Sequence, residues 1–178
     1  MRIAVLGSGR VGSALAATWR EAGHDVAVST RETVAETAAG AEVVVLAVPA
    51  AAGPDVLAAA GPLEGRILVD ATNNLSGGPD GAALAALVPG ARTVKAFNTV
   101  FSTFMHDTPP ERRASLVLCG DDAEAKEVVS GLVRDAGFEP VDAGGSGRTP
   151  EVEALARLVI GLAYGQGRGP FVYRFEPR

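Results

Sequence analysis

Short runs of β-branched and aliphatic residues alternate along the chain with longer alanine-rich stretches, so strands and helices are expected in turn. The apolar runs place strands at 2–7 (RIAVLG), 25–30 (DVAVST), 43–48 (VVVLAV), 67–71 (ILVDA), 93–98 (TVKAFN), 115–120 (SLVLCG) and 139–142 (EPVD). The first four are apolar on both faces, the pattern of strands in a parallel sheet covered by helices. Between the strands, helices are expected at 11–22, 32–39, 54–60, 79–88, 123–136 and 149–164. Asp121-Asp122 puts carboxylates ahead of the fifth helix as a cap, and Pro150 suits the first turn of the sixth. This alternation predicts an α/β fold with a doubly wound, mainly parallel sheet and right-handed crossovers. Two segments are less regular, 73–90 with turn residues at both ends and the Pro-interrupted 101–114, and no internal repeat is visible.

One junction carries chemistry. Gly7, Gly9 and Gly12 spell G-x-G-x-x-G, directly after the first strand and at the start of the first helix. Gly7 permits a tight turn, Gly9 leaves room for a pyrophosphate, and Gly12 lets the helix pack on the strand. The helix N-terminus then offers N–H groups and the positive end of its dipole to phosphates. A dinucleotide site of this kind usually has an acidic residue at the end of the second strand, holding the ribose 2′-hydroxyl. Here that strand ends Ser29-Thr30-Arg31, donors suited to a 2′-phosphate, which favours NADP over NAD. Arg10 lies inside the turn, near the same region or the pyrophosphate. Glu32 is expected at the start of a helix, favoured there by the dipole and pointing away from the phosphate.

At 178 residues the chain is expected to form a single domain over 1–178, with 115–178 completing the sheet and pocket. A content of 47% hydrophobic and 21% charged residues marks a globular chain, not a disordered one. The net charge of -5 argues against nucleic acid or an anionic membrane as partner, so any bound anion must be captured locally. Cys119 is the only cysteine, which leaves neither a disulfide framework nor a zinc cluster, and no metal site is expected. No apolar stretch approaches a membrane span, and a strand-like run directly after Met1 leaves no room for a signal peptide, so a cytoplasmic protein is expected.

The remaining candidates line later strand ends. Ala47, Val48 and Pro49 form a small-residue turn against which a flat ring can lie. Asn98, Thr99, Val100 and Ser102 follow the fifth strand, and their polar groups suit a carboxamide or a second ring. Ordinary turn chemistry is the alternative for Asn98, Thr99 and Ser102, as it is for Asn73 and Asn74. Asp70, His24 and Cys119 read as structural, while His106 sits in a loop that borders the cleft. No acid–base or nucleophilic set emerges, so no catalytic residue is nominated. Hydride transfer between two bound rings needs alignment far more than a proton shuttle.

These motifs, "LGSGRVGSALA", "AGHDVAVSTR", "VVVLAVP", "VKAFNTVF" and the C-terminal "VEALARLVIGLA" and "YGQGRGPFVYRF", resemble the NADPH-dependent reductases of the deazaflavin coenzyme F420. The same nucleotide module occurs in the reductase half of certain membrane metalloreductases. The resemblance covers most of the chain and implies a Rossmann-type oxidoreductase of small-molecule redox coenzymes. It implies that Ser8, Gly9, Arg10 and Val11 wrap the NADP phosphates and that Thr30 and Arg31 grip the 2′-phosphate. The nicotinamide would lie near Val48 and Pro49, with F420 stacked over it near Asn98 and Val100. A homodimer is also implied, with the apolar tail residues Phe171, Val172, Tyr173 and Phe175 expected at a two-fold contact. The chain departs from the pattern at Glu32, where archaeal members carry a basic residue, and at Asn98, where they carry histidine. Its link between the second and third strands is also shorter. Alternatives are a flavin (FMN or FAD) or ferric reductase, and a non-catalytic NADP-binding sensor or assembly protein.

Overall fold

All seven expected strands are present and join in one sheet. The computed structural model describes residues 1–75, 78–105 and 113–176. The strands are β1 Arg2–Leu6, β2 Asp25–Ser29, β3 Val43–Leu46, β4 Ile67–Asp70, β5 Arg92–Lys95, β6 Ser115–Gly120 and β7 Glu139–Asp142. Their order is β2-β1-β3-β4-β5-β6-β7, and every neighbouring pair is parallel except β5 with β6. Helices α1 Arg10–Glu21, α2 Val34–Ala38, α3 Gly53–Ala60, α4 Gly81–Ala86, α5 Ala123–Asp135 and α6 Thr149–Ile160 surround it.

Successive strand residues face opposite sides, which divides the core in two. Ile3, Val5, Val43, Val45, Ile67, Val69 and Val94 pack with Leu15 and Trp19 of α1 and Val129, Leu132 and Val133 of α5. Ala4, Leu6, Val44, Leu46 and Leu68 pack on the other side with Val34 of α2, Leu57 of α3 and Leu84 of α4. Each fully buried valine or leucine contributes roughly 1.5–3 kcal/mol relative to exposure, so both faces must stay covered. Asp122 caps α5 by accepting the Ala125 N–H at 2.8 Å, as expected, and Pro150 lies in the first turn of α6. Asp121 instead receives the N–H and hydroxyl of Ser146, bonds that hold its carboxyl below the usual range.

The elements stop earlier than the apolar runs suggest, for local reasons. β1 ends at Leu6 because Gly7 takes φ +122°, outside the range of side-chain-bearing residues. β5 ends at Lys95 because Phe97 takes φ 64°, the single positive value for a non-glycine residue among those described. Its fully buried ring stands edge-on to Trp19, 5.4 Å between centroids, and that packing holds the strained turn in place. α6 gives way after Ile160 to a π turn over Gly161–Gly165, where the sequence pattern runs on as one helix to 164. His106, with the rest of 106–112, lies outside the described residues.

The reversed pairing of β5 and β6 decides what reaches the carboxyl end of the parallel strands. Ser115, at the start of β6, lies where β1 to β5 finish. The tail closes there: the Ser115 N–H donates to the Tyr173 carbonyl at 2.9 Å, and the Phe175 N–H donates to the Ser115 hydroxyl at 2.8 Å. Phe171 packs on Phe101, and Tyr173 joins Val117, Cys119 and Val152, so half of the apolar tail is spent on its own fold. Val172 and Phe175 stay exposed. No helix among the described residues is long and apolar enough to cross a membrane.

Candidate functional site

The glycine turn leaves an open cradle at the N-terminus of α1. A Cβ on Gly7 would meet the Ala47 carbonyl oxygen at 2.5 Å, and one on Gly12 would meet the Gly7 carbonyl oxygen at 2.0 Å. The turn therefore closes tightly on β1 and β3. A Cβ on Gly9, by contrast, meets nothing within 4 Å. Gly9 precedes α1 without a side-chain cap, and the first turn of α1 carries no acid. Its N–H groups, beyond the reach of helical carbonyls, face open space. The residues present thus fit a pyrophosphate.

Three adjoining hollows run from this cradle along the strand ends. The first, about 190 Å³, is bordered by Gly7, Ser8, Ser29, Thr30, Arg31 and Pro49. The second, about 450 Å³, shares Gly9, Ala47, Val48 and Pro49 with the first and adds Arg10, Val11 and Asn73. The third, about 420 Å³, shares Arg10, Val11 and Asn73 with the second and reaches Asn98, Val100 and Tyr164. Of the site residues read from the sequence, all but Gly12 line this run, and Gly12 is buried where α1 meets the turn. A separate open groove of about 440 Å³ lies at Arg2, Asp25 and Glu36. It opens toward the starts of β1 and β2, away from the strand ends where open α/β sheets bind ligands.

Asn98 is the polar centre of the third hollow. It is buried; its Nδ2 donates to Asn73 Oδ1 at 3.4 Å, and its backbone carbonyl accepts from Asn73 Nδ2 at 3.0 Å. Its Oδ1 is buried without a hydrogen-bond partner, a costly state unless a ligand donor completes it. Asn98 directly follows the positive-φ turn at Phe97. Neighbouring Thr99 is also buried and faces Tyr173, whose phenol burial pushes up. The remaining wall comes from the end of α6 and the π turn, Val159, Ile160 and Tyr164. The expectation that 115–178 completes the pocket named none of these three, and Asn73, for which turn chemistry was one alternative, lines two of the hollows. The one available signal was the unusual aromatic tail.

Glu32 differs from its expected position. It precedes α2 instead of opening it, and its Oε2 accepts the Thr30 hydroxyl at 2.7 Å. That bond holds the exposed carboxyl below the usual range. The acid therefore turns toward the end of β2, because the Thr30 hydroxyl is a nearer partner than the short helix.

Beneath the site lies a buried ionic trio. Lys95 Nζ donates to Asp70 Oδ2 at 2.9 Å, to Glu153 Oε1 at 3.1 Å and to the Thr72 carbonyl at 2.8 Å. Glu153, on α6, also accepts the Gly81 N–H at 2.9 Å. The trio ties the ends of β4 and β5, and so the turns carrying Asn73 and Asn98, to α6. Asp70 is structural, as expected; Lys95 and Glu153 were not foreseen, although a lysine within an apolar strand is itself a signal. His24 pairs with Asp135 at 2.9 Å, and burial pushes the Cys119 thiol up, which accords with structural roles for both.

Residues 27–74 match the family model described as NADP oxidoreductase coenzyme F420-dependent. A crystal structure from Arthrobacter sp. FB24, assigned as an F420-dependent NADP reductase, is 30% identical with a TM-score of 0.88, covering 99% of this chain and 100% of that one. Metalloreductase STEAP3 of Rattus norvegicus is 31% identical over 175 residues, 86% of this chain. The chain spans only 36% of that relative's length. A reductive aminase from Aspergillus terreus, 18% identical with a TM-score of 0.73, shares the fold over 94% of this chain and 62% of its own.

Proposed function

Because this chain belongs to the family of coenzyme F420-dependent NADP oxidoreductases, we propose that it passes hydride between NADP(H) and the deazaflavin F420. One observation carries the reading: three adjacent hollows with shared walls follow one another from Arg31 to Tyr164, and the unpartnered Asn98 Oδ1 belongs to the innermost. When bound, the nicotinamide supplies a carbon that gives or takes hydride. The first turn of α1, with Ser8 and Gly9, would hold the pyrophosphate, and Thr30 and Arg31 the 2′-phosphate. Ala47, Val48 and Pro49 would form a flat apolar wall, while Asn98 Oδ1 would accept a ring N–H of the deazaflavin and fix its orientation. No carboxylate or imidazole among the described residues lines the two inner hollows, so the chain's contribution is alignment and exclusion of water. A homodimer and a cytoplasmic location belong to the same reading; the exposed Leu158, Val172 and Phe175 are apolar surface for a second copy.

Steady-state reduction of F420 and of FMN by NADPH tests the proposal. F420 should be used at least tenfold more efficiently, a barrier difference of about 1.4 kcal/mol. Asn98→Leu should cut the F420 rate about tenfold or more while NADPH affinity stays within a factor of two. Preference for FMN would instead support a flavin or ferric reductase, a reading favoured by the likeness to the rat metalloreductase. Tight NADPH binding with no turnover of either acceptor would leave the sensor reading. In a direct titration, Arg31→Ala should weaken NADPH by about 1–3 kcal/mol, the scale of a charged hydrogen bond.

A further inference from the structure

At the adenosine end of the cleft Thr30 and Arg31 border the first hollow, and the exposed Glu32, outside that border, is tied to it through the Thr30 hydroxyl. Both donors of Thr30 are engaged within its own segment, the hydroxyl on Glu32 Oε2 at 2.7 Å and the backbone N–H on Thr33 Oγ1 at 2.9 Å. Arg31, between them in sequence, borders the first hollow and enters no ion pair among the described residues. Thr30, Arg31 and Glu32 are all exposed, so each side chain can turn toward a ligand without disturbing the core.

The chemistry of the three groups is divided. Arg31 offers a guanidinium fork that suits a phosphate. Glu32 offers two acceptor oxygens that suit a ribose hydroxyl and oppose a second anion a few ångströms away. The Thr30 hydroxyl can serve only one of them at a time: bonded to Glu32 it is withdrawn from a phosphate, and bonded to a phosphate it releases Glu32 beside that phosphate.

We propose that Glu32 is a specificity-determining residue that, with Thr30 and Arg31, makes a mixed site admitting an adenosine ribose with either a 2′-phosphate or a free 2′-hydroxyl. NADH is then a working ligand beside NADPH. The inference rests on the nucleotide-binding reading above and adds a named discriminator to it.

Calorimetric titration of the full chain with NADPH and with NADH tests this, in the wild type and in Glu32→Gln. Glutamine keeps the length and one acceptor oxygen but removes the charge. It should tighten NADPH about tenfold and weaken NADH about threefold, because a charged acceptor is replaced by a neutral one. The fragments 2′,5′-ADP and 5′-AMP should show the same shifts, which places the effect at the adenosine end and away from the rings. A change of less than threefold in the NADH-to-NADPH affinity ratio, or a change favouring NADH, overturns the proposal, since a purely structural Glu32 would move both affinities together. Wild-type protein that binds NADPH but not NADH also overturns it. If the folded wild type binds neither nucleotide, the nucleotide-binding reading itself falls, and that result is distinct from the others.

Discussion

Replacing Lys95 with methionine is expected to lower stability by about 3–5 kcal/mol, the cost of leaving buried carboxylates without their counter-charge. Lys95, Asp70 and Glu153 are almost wholly shielded from water, and Lys95 is the cation that both carboxylates share. For a chain of this size the melting temperature should fall by roughly 6–20 °C. Lys126→Met is the comparison. It breaks a 2.7 Å pair with the half-exposed Asp142 and should cost less than about 1 kcal/mol. Thermal unfolding followed by circular dichroism separates the two cases. Equal, small losses would mean that the trio is not desolvated in solution. Because the trio anchors the turns of Asn73 and Asn98 to α6, Lys95→Met should also loosen the inner cleft below its melting point.

A paired substitution in the glycine turn should separate folding from binding. Gly12→Ala places a methyl 2.0 Å from the Gly7 carbonyl oxygen, so α1 must move off β1. Overpacking of this kind costs about 1–3 kcal/mol or more, and NADPH binding should fall at least about a hundredfold as the cradle opens. Gly9→Ala meets no atom within 4 Å, and Gly9 has φ -72°, a backbone open to alanine. Its melting temperature should stay within about 2 °C of the wild type. Its methyl occupies the space read as the pyrophosphate cradle, so NADPH affinity should still drop at least tenfold. Unchanged NADPH affinity in Gly9→Ala would remove the pyrophosphate from that place.

The strands were legible because each central one is apolar at consecutive positions, a pattern that only a doubly covered sheet needs. The glycine spacing was legible because its backbone demands are local. What escaped the sequence depends on contacts distant along the chain. The Phe97 turn is held by Trp19, and the antiparallel entry of β6 depends on how the chain returns from the cleft; neither leaves a local pattern. The C-terminal part was expected at the pocket, but the particular wall residues were not legible, because Val159 and Ile160 read as an ordinary apolar helix stripe and Tyr164 sits in a π turn that leaves no local pattern. Glu32 was misplaced because dipole reasoning favours an acid at a helix start, whereas α2 is too short to compete with a direct hydroxyl donor.

Trp19 is the only tryptophan in the chain. Its indole is fully buried, its N–H donates to the Leu132 carbonyl at 2.9 Å, and its ring meets Phe97 one residue before Asn98. The chain therefore carries a single indole in a dry, fixed environment, which excitation at the red edge of its absorption singles out from Tyr164 and Tyr173 without a dye. Its emission belongs to the α1–α5 side of the core, with no second indole to blur the signal. Unfolding exposes that one ring to water and shifts its light to the red, while a rearrangement of the Phe97 turn changes the quenching of a chromophore that stays buried. Colour reports on the fold and intensity on the floor of the cleft, from one side chain.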